Sequence, residues 1–236
     1  MKKFFIIKAG TTFQETISQY GDFDQWIMNG LKGVSSKIKV VDIQSHEPLP
    51  QLHECAGVII SGSHSMVTEQ EPWSIKLQEW IVELFNESIP MLGICYGHQL
   101  IAQSLGGVCG YHPNGMEIGT VEIELNNEGI NDILFLGCKQ RFLAHTVHSQ
   151  TVLKLPTDAI NLAYNQHDAH HAFKVGEWCW GVQFHPEYTT EIMASYIQEV
   201  SKEKKLASEV LLQNVQKTPY ANTLLEQFGK IVEKRL

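Results

Sequence analysis

The sequence predicts an α/β fold with a mostly parallel central sheet flanked by helices, a small antiparallel β extension and a helical C-terminal tail. In the first 107 residues, short apolar runs rich in branched side chains alternate with longer segments of helical period. After residue 107 the segments become shorter and partly alternating, and from residue 189 the helical period returns. Strands covered by helices on both faces show continuous apolar runs, whereas half-covered antiparallel strands alternate. The first half of the chain therefore predicts the parallel sheet, and the second half predicts its extension.

The parallel sheet is predicted from four apolar runs, at 4–9, 38–43, 56–61 and 90–94. Between them, the segments 14–31 and 74–87 carry apolar residues at spacings of three and four, as amphipathic helices do. Pro72 stands just before the second of these segments, where the start of a helix tolerates proline. Strands and helices thus alternate along this half of the chain.

The second half predicts antiparallel strands that extend or flank the sheet, at 118–125, 141–147, 159–164, 171–175 and 179–184. Helices are predicted at 189–203 and 207–234. No repeat or linker divides the chain, so we expect one domain over 1–203 and a helical extension over 204–236. The apolar spacing of this extension favours packing on the same domain. The alternative is a surface for a homodimer or another partner.

Composition and charge exclude several classes of protein. The 236 residues are 43% hydrophobic and 19% charged, which is ordinary for a globular chain long enough to bury a core. A net charge of −8 argues against a nucleic-acid binder and against attraction to anionic membranes. In the first residues, MKKFFIIKAG, the apolar run is too short for a secretory signal. We therefore interpret this segment as a first β-strand. No run approaches the roughly 18 apolar residues of a membrane span, and we expect a cytoplasmic protein.

Five cysteines, an odd number without a CxxC pair, predict reduced thiols rather than disulfides or a zinc site. Cys55, Cys109, Cys138 and Cys179 are interpreted as small buried hydrophobes. The histidine-rich stretch QHDAHH, at 166–171, favours a solvated turn over a metal site because it has no defined ligand spacing. We therefore predict no metal and no cofactor.

Cys95 lies in GICYG, between an apolar run and a helix predicted from about His98 to Leu105. A tight strand-to-helix turn exposes a nucleophile, and Gly93 and Gly97 give its strained backbone room. The helix N-terminus favours a thiolate, and its N–H groups can hold an oxyanion. The alternative is a buried thiol in a glycine-rich turn, and the stretch alone leaves both interpretations open.

His185 ends the apolar run WCWGVQF and is followed by Pro186 and Glu187. The proline stops the strand, so the imidazole is expected to project at the strand end, near Cys95. Glu187 could orient that imidazole and stabilise its cationic form, as the acid of a catalytic triad does. The two motifs together favour Cys95 as a nucleophile with His185 as its base.

Three motifs resemble the class I, triad-type glutamine amidotransferase family: GICYGHQLIAQSLGG (93–107), GVQFHPE (181–187) and VIISGS (58–63). The resemblance runs from about residue 4 to 200. SGSHSMVTEQEPW and GMEIG are similar to stand-alone relatives of the amidotransferase domain of GMP synthase. The resemblance implies the flavodoxin-like fold of this family and chemistry without a cofactor.

By this resemblance, Cys95 attacks the side-chain amide of glutamine, His185 transfers the proton and Glu187 holds His185. Ammonia leaves, and water hydrolyses the γ-glutamyl thioester to glutamate. The resemblance also implies an oxyanion site at the N–H groups of Tyr96 and of the Gly62–Ser63 turn. The implied substrate-binding residues are Gln99, His148, Ser149 and Gln150. His148 is interpreted as a structural hydrogen-bonding residue rather than a catalyst.

Two departures from the family pattern stand in the implied site. Ser63-His64 replaces Gly-Pro, and a backbone donor survives there only if the torsions suit a residue other than glycine. Ser149-Gln150 replaces Gly-Asp. The loss of that acidic side chain leaves open how the α-amino group is held, and hence whether free glutamine is the substrate.

Three functions follow from these motifs. The first is glutamine hydrolysis that supplies ammonia to a separate synthetase, because the chain has no phosphate-binding motif of its own. The second is a free-standing γ-glutamyl peptidase or hydrolase that acts on a small molecule. The third is an inactive regulatory binding module, which the complete set of Cys95, His185 and Glu187 disfavours.

Overall fold

A computed structural model describes residues 2–34, 36–204 and 207–235. The strands are β1 (Lys3–Lys8), β2 (Ile38–Asp42), β3 (Cys55–Ile60), β4 (Met91–Ile94), β5 (Val108–Tyr111), β6 (Glu117–Leu125), β7 (Arg141–His148), β8 (Gln150–Lys154), β9 (Ala159–Tyr164), β10 (Ala172–Val175) and β11 (Cys179–Val182). The helices are α1 (Gln14–Tyr20), α2 (Phe23–Gly30), α3 (Pro72–Asn86), α4 (Tyr96–Ser104), α5 (Asn127–Asn131), α6 (Thr190–Lys204), α7 (Ser208–Gln213) and α8 (Pro219–Glu233).

A nine-stranded sheet in the order β2-β1-β3-β4-β11-β10-β9-β6-β7 forms the centre of the molecule. The first five strands in this order, β2, β1, β3, β4 and β11, are parallel to one another, and every residue of β3 and β4 is buried. The predicted α/β fold with a mostly parallel sheet is therefore confirmed. The carboxyl ends of β3, β4 and β11 meet at one edge, and this edge positions the candidate site.

The antiparallel extension is formed by β10, β9, β6 and β7, as the alternating segments predict. The prediction was wrong for 179–184, because β11 runs parallel to β4 and antiparallel only to β10. Its residues are all buried, and an apolar run of this kind does not reveal strand direction. The strands of the small sheet, β5 and β8, were not predicted because both are short; β5 directly follows Gly106-Gly107, and β8 is separated from β7 by Ser149 alone.

Two predicted helices are each divided in the structure. Residues 14–31 form α1 and α2, because Gly21 has a φ of 83° and Asp22 accepts a hydrogen bond from the Phe23 N–H at the start of α2. Residues 207–234 form α7 and α8, and Pro219 occupies the first turn of α8. Apolar periodicity continues across both breaks, so spacing alone does not reveal them.

The C-terminal helix α8 packs directly on the sheet. Phe228 is fully buried, and its ring centroid lies 5.8 Å from that of Phe4 in β1. A Cβ built on Gly57 of β3 would lie 2.5 Å from a methyl group of Val232, so glycine permits this close packing. The helix therefore contributes to the same core as the sheet. Among the described residues, the helices lack the length and apolar character that a bilayer crossing requires.

Candidate active site

Cys95 lies between the end of β4 and the start of α4, with a φ of 50° and a ψ of −98°. Residues other than glycine seldom adopt such backbone torsions, which typically cost about 1–3 kcal/mol of free energy. The Cys95 N–H donates to the Val182 carbonyl at 2.9 Å, which ties the strained residue to β11. The predicted helix start at His98 was two residues late. Tyr96 is the first residue of α4, so its backbone N–H directly follows Cys95 in the chain.

Gly93 and Gly97 permit the close packing of this turn. A Cβ on Gly93 would lie 2.3 Å from the Gly97 carbonyl oxygen, and a Cβ on Gly97 would lie 2.4 Å from the Ile60 carbonyl oxygen. Both contacts are with backbone, which cannot move away as a flexible side chain can. The glycines therefore allow α4 to begin directly against β3 and β4.

His185 is held from several sides just after β11. Its backbone N–H donates to the backbone carbonyl of His145 at 2.8 Å, and Nδ1 of its ring lies 2.7 Å from Oε1 of Glu187. The ring stacks on Tyr188 with a centroid distance of 4.1 Å, and Phe23 stacks on it at 6.4 Å. The imidazole is only 2% exposed. These contacts fix its orientation and direct Nδ1 at the carboxylate.

The electrostatic surroundings of His185 favour its charged form. Burial opposes the imidazolium, but the charges of Glu187 and Cys95 outweigh it and raise the pKa of His185 to about 10. With Nδ1 engaged by Glu187, Nε2 has no hydrogen-bond partner among the described residues. Nε2 is therefore the nitrogen available to exchange a proton at the sulfur of Cys95.

The Gly62–Ser63 turn follows β3 and lies against the same imidazole. A Cβ on Gly62 would be 3.1 Å from Cε1 of His185. Ser61 Oγ donates a hydrogen bond to the Gly62 carbonyl at 2.8 Å and so fixes the direction of that carbonyl. In the planar trans peptide between Gly62 and Ser63, the Ser63 N–H points away from the carbonyl, on the side opposite Ser61 Oγ. No described residue accepts a hydrogen bond from this N–H. Ser63 has no positive φ, so the backbone donor is compatible with serine.

The predicted substrate loop, at 146–150, lies beside Cys95. The thiol of Cys95 is 3.7 Å from the Val147 carbonyl oxygen. Gln99 Nε2 donates to the Gln150 carbonyl at 2.7 Å and to Gln183 Oε1 at 3.0 Å. Gln150 Nε2 donates to Thr68 at 2.6 Å, which leaves the buried Gln150 Oε1 without a partner among the described residues. Gln99 thus anchors the loop, and Gln150 retains a free acceptor.

His148 has both ring nitrogens engaged. Its Nδ1 donates to the Gln150 carbonyl at 2.9 Å, and its Nε2 lies 3.1 Å from Oε2 of Glu117. Nε2 of His171 is also 3.1 Å from that oxygen. Burial would raise the pKa of Glu117, but His148 and His171 hold it well below its usual range. These contacts agree with a structural role for His148.

The histidine-rich stretch forms a turn, as the sequence favoured, but the prediction that it is solvated was wrong for Asp168 and His171. His171 is fully buried, Asp168 is 2% exposed and accepts a hydrogen bond from Thr151, and the donor atoms of Glu117, His148 and His171 converge within 4.8 Å. The segment leads into β10, and its side chains contact Glu117 of β6, His148 of β7 and Thr151 of β8. Sequence polarity does not reveal contacts of this kind. The stretch is therefore part of a buried polar cluster behind the substrate loop.

Most of the predicted site residues surround one cavity of about 320 Å³: Ser63, Cys95, Tyr96, Gln99, His148, Ser149, Gln150 and His185. Gly62 and Glu187 support it from behind through His185. Sequence reasoning missed the aromatic wall of Phe13, Phe23, Tyr188 and Tyr196, and also Glu203 and Lys204 at the end of α6. Phe13, Phe23 and the end of α6 reach the site only through tertiary packing, so no motif near Cys95 or His185 indicates them. Tyr188 is different, because it directly follows Glu187 in the chain and stacks on His185, so the His-Pro-Glu motif could have indicated it.

The other cysteines lie outside the cavity. Burial raises the pKa of Cys55 and of Cys109 to about 12 and that of Cys138 to about 11, and it raises the pKa of Cys179 further. These thiols stay protonated at neutral pH and are poor nucleophiles. Their surroundings agree with the interpretation as small hydrophobes, and Cys95 alone among the five lines the cavity.

Comparison with known proteins identifies the family. A profile described as "Glutamine amidotransferase class-I" matches residues 16–201. The chain belongs to the class I glutamine amidotransferases. Members of this family are amide hydrolases with a cysteine nucleophile.

Among curated relatives, γ-glutamyl peptidase 5 of Arabidopsis thaliana is 28% identical over 200 residues, covering 83% of this chain and 76% of the peptidase. The GMP synthase of Borrelia garinii subsp. bavariensis is 30% identical, covering 71% of this chain and 30% of the synthase. The GMP synthase of Aeropyrum pernix is 31% identical, covering 76% of this chain and 35% of the synthase. The chain thus spans about a third of the length of these synthases.

Solved structures show the same fold. A glutamine amidotransferase from Thermotoga maritima superposes with a TM-score of 0.77 at 21% identity, covering 98% of both chains. A glutamine amidotransferase from Methylobacillus flagellatus superposes with a TM-score of 0.78 at 21% identity, covering 100% of this chain and 96% of the other. At this identity the likeness establishes architecture and leaves the substrate undefined.

Proposed function

We propose that this amidotransferase hydrolyses a γ-glutamyl amide through a thioester on Cys95, with His185 as proton carrier and Glu187 as its orienting acid. The observation that best supports this proposal is that the strained Cys95 and the buried imidazolium of His185 line one cavity. A charged imidazole next to a thiol favours the thiolate, which is the nucleophilic form.

In the first step, Sγ of Cys95 attacks the amide carbon and the carbonyl electrons move to oxygen. The N–H groups of Tyr96 and Ser63 hold this oxyanion. As the tetrahedral intermediate collapses, the C–N bond breaks and His185 Nε2 donates its proton to the leaving nitrogen. With glutamine, the products of this half-reaction are ammonia and the γ-glutamyl thioester.

In the second step, water attacks the thioester and His185, now neutral, accepts the proton. The same two N–H groups hold the second oxyanion, and glutamate leaves as the sulfur recovers its electron pair. His185 returns to the imidazolium form that Glu187 stabilises. Atoms and charge balance without a cofactor, because water is the only co-reactant.

The thioester can be tested by intact-protein mass spectrometry after rapid acid quenching of a reaction with glutamine. We expect an adduct with the mass of a γ-glutamyl group on wild-type protein and none on Cys95→Ala. Cys138→Ala is the matched control, since this half-buried thiol lies outside the cavity, and it should keep both the adduct and the activity. Unchanged turnover in Cys95→Ala would refute the proposal.

A second candidate is γ-glutamyl peptide hydrolysis with the same residues. The peptidase from Arabidopsis aligns over most of its own length, unlike the GMP synthases. A cavity of about 320 Å³ lies within the range of pockets that hold ligands larger than glutamine. Assays of ammonia and of glutamate, with glutamine and with γ-glutamyl dipeptides, separate the two. Glutamate from dipeptides alone would assign the peptidase function.

If glutamine is the substrate, we propose that a separate synthetase protein uses the ammonia. The GMP synthases that match this chain carry the matched region within chains about three times as long. Such coupling predicts slow glutamine turnover by the isolated chain and faster turnover with its partner. Full turnover by the isolated chain, unchanged by any synthetase, would contradict it.

A further inference from the structure

Two charged side chains, Glu203 and Lys204, line the catalytic cavity from the last turn of α6. Lys204 Nζ lies 3.5 Å from Oγ of Ser149 in the substrate loop. Glu203 lines the same cavity as His64, whose pKa is lowered by burial and raised in part by the Glu203 carboxylate. A cation and an anion therefore share the rim of one cavity.

Neither charge forms an ion pair with another described residue. By contrast, Lys202 on the same helix pairs with Glu199 at 2.6 Å and does not line this cavity. The helix that carries them is firmly held, since Tyr196 is buried and its hydroxyl accepts a hydrogen bond from Thr12 at 2.5 Å. The anchored helix therefore places its last turn at the cavity, and the exposed side chains of Glu203 and Lys204 keep their charges free for a ligand.

The cysteine and the three histidines that line the cavity are already engaged, His64 by the Tyr196 hydroxyl at 3.2 Å. Cys95 and His185 interact with each other, and His148 is taken by Glu117 and by the Gln150 carbonyl. Gln150 offers only the neutral acceptor Oε1. A γ-glutamyl group brings an ammonium and a carboxylate into the cavity, and such charges need partners when they leave water.

The position of the substrate loop indicates which part of the substrate meets these charges. His185 must protonate the leaving nitrogen, so the leaving group lies on the side of the imidazole. The acyl chain on Sγ then extends along the loop, where the Val147 carbonyl is 3.7 Å from the sulfur and Lys204 contacts Ser149. The amino acid end of the acyl chain is therefore nearest the rim charges.

We propose that Lys204 binds the α-carboxylate of the γ-glutamyl group and that Glu203, together with Oε1 of Gln150, binds its α-ammonium. This inference rests on the proposed γ-glutamyl hydrolysis and deepens it, since it names the residues that select a zwitterionic substrate. A paired cation and anion match a zwitterion better than a ligand of one charge.

The test compares Lys204→Gln and Glu203→Gln with Lys202→Gln as the matched control on the same helix. Three amides serve as substrates: L-glutamine, 4-aminobutanamide, which lacks the α-carboxylate, and glutaramate, which lacks the α-amino group. With glutamine we expect each rim variant to lower kcat/KM about tenfold, mainly through KM, while Lys202→Gln retains the wild-type value.

The truncated substrates identify the partner of each charge. Lys204→Gln should cause no further loss with 4-aminobutanamide, and Glu203→Gln should cause none with glutaramate, because the partner group is already missing. Equal losses with all three amides would overturn the inference. So would a Lys204→Gln effect restricted to γ-glutamyl dipeptides, since it would assign the lysine to the leaving group.

A binding measurement keeps this inference separate from the reaction. In a Cys95→Ala background, calorimetry with L-glutamate should show about tenfold weaker binding for Lys204→Gln and Glu203→Gln, and no change for Lys202→Gln. Absent hydrolysis by the wild-type chain refutes the proposed function alone. Unchanged glutamate binding in both rim variants refutes the rim assignment alone.

Discussion

Nδ1 of His185 lies 2.7 Å from Oε1 of Glu187, although only Pro186 separates the two residues in the chain. The turn at the proline brings the carboxylate back to the imidazole, and Tyr188 then stacks on the same ring. Base and orienting acid therefore belong to one short segment, whereas the nucleophile comes from another strand.

Glu187→Gln should lower kcat about 100-fold without unfolding the chain, because the amide neither orients nor stabilises the imidazolium as a carboxylate does. The pKa of His185, now about 10, should fall. Since the raised pKa keeps the imidazolium to high pH, the alkaline loss of activity should move to lower pH. The measurement is kcat/KM against pH. The exposed Glu191→Gln is the control, and an unmoved alkaline limb would reject this role for Glu187.

Alkylation should be selective for Cys95. At pH 7, a small excess of iodoacetamide should modify Cys95 at least tenfold faster than Cys138, because burial raises the pKa of Cys138 to about 11. Peptide mass spectrometry after short exposures measures both rates. Glutamine should protect Cys95 and leave the rate at Cys138 unchanged. Equal rates at both thiols would contradict an activated Cys95.

Gly97→Ala should destabilise the chain by about 1–3 kcal/mol and impair catalysis, because its Cβ would lie 2.4 Å from the Ile60 carbonyl oxygen. Helix propensity alone predicts the opposite sign, since alanine usually stabilises a helix relative to glycine by about 1 kcal/mol. Urea unfolding decides between them. Ser104→Ala, on the same helix, should change stability little. A more stable Gly97→Ala variant would show that the turn is not closely packed.

Glu117→Gln should destabilise the chain by about 3 kcal/mol, because it removes the buried carboxylate between two imidazoles. The pKa of Glu117 is depressed in the folded state, so its contribution is present above its ordinary pKa, near 4.5, and is lost at lower pH. The difference in unfolding free energy between wild type and variant should therefore shrink below about pH 4.5. The exposed Glu122→Gln on the same strand is the control. A pH-independent difference would contradict the ion-pair description.

Much of the architecture could be predicted from the chain. The four apolar runs that became β1 to β4 lie within a residue or so of their predicted bounds, because strands buried on both faces leave a local apolar signal. Strand direction was not predictable for β11, since direction depends on which neighbour the strand meets. Gly21 and Pro219 divided helices whose apolar period continued across them.

The candidate site shows the same division. Cys95, His185 and Glu187 were predicted because glycines, a proline and a strand end leave a signal near each of them. The buried state of His171 and the rim position of Glu203 were not, since each depends on segments far away in sequence.

The sequence by itself determined the family, the alternation of strands and helices, and the residues that form the elbow and the His-Pro-Glu turn. These features are local, because backbone torsion, capping and apolar period act within a few residues. Only the tertiary structure decided that Glu187 and Cys95 together favour the imidazolium of His185 and that Ser61 orients the Ser63 N–H. It also brought the end of α6 over the substrate loop. Electrostatic and packing interactions depend on distance in space, and in this chain the sheet sets that distance.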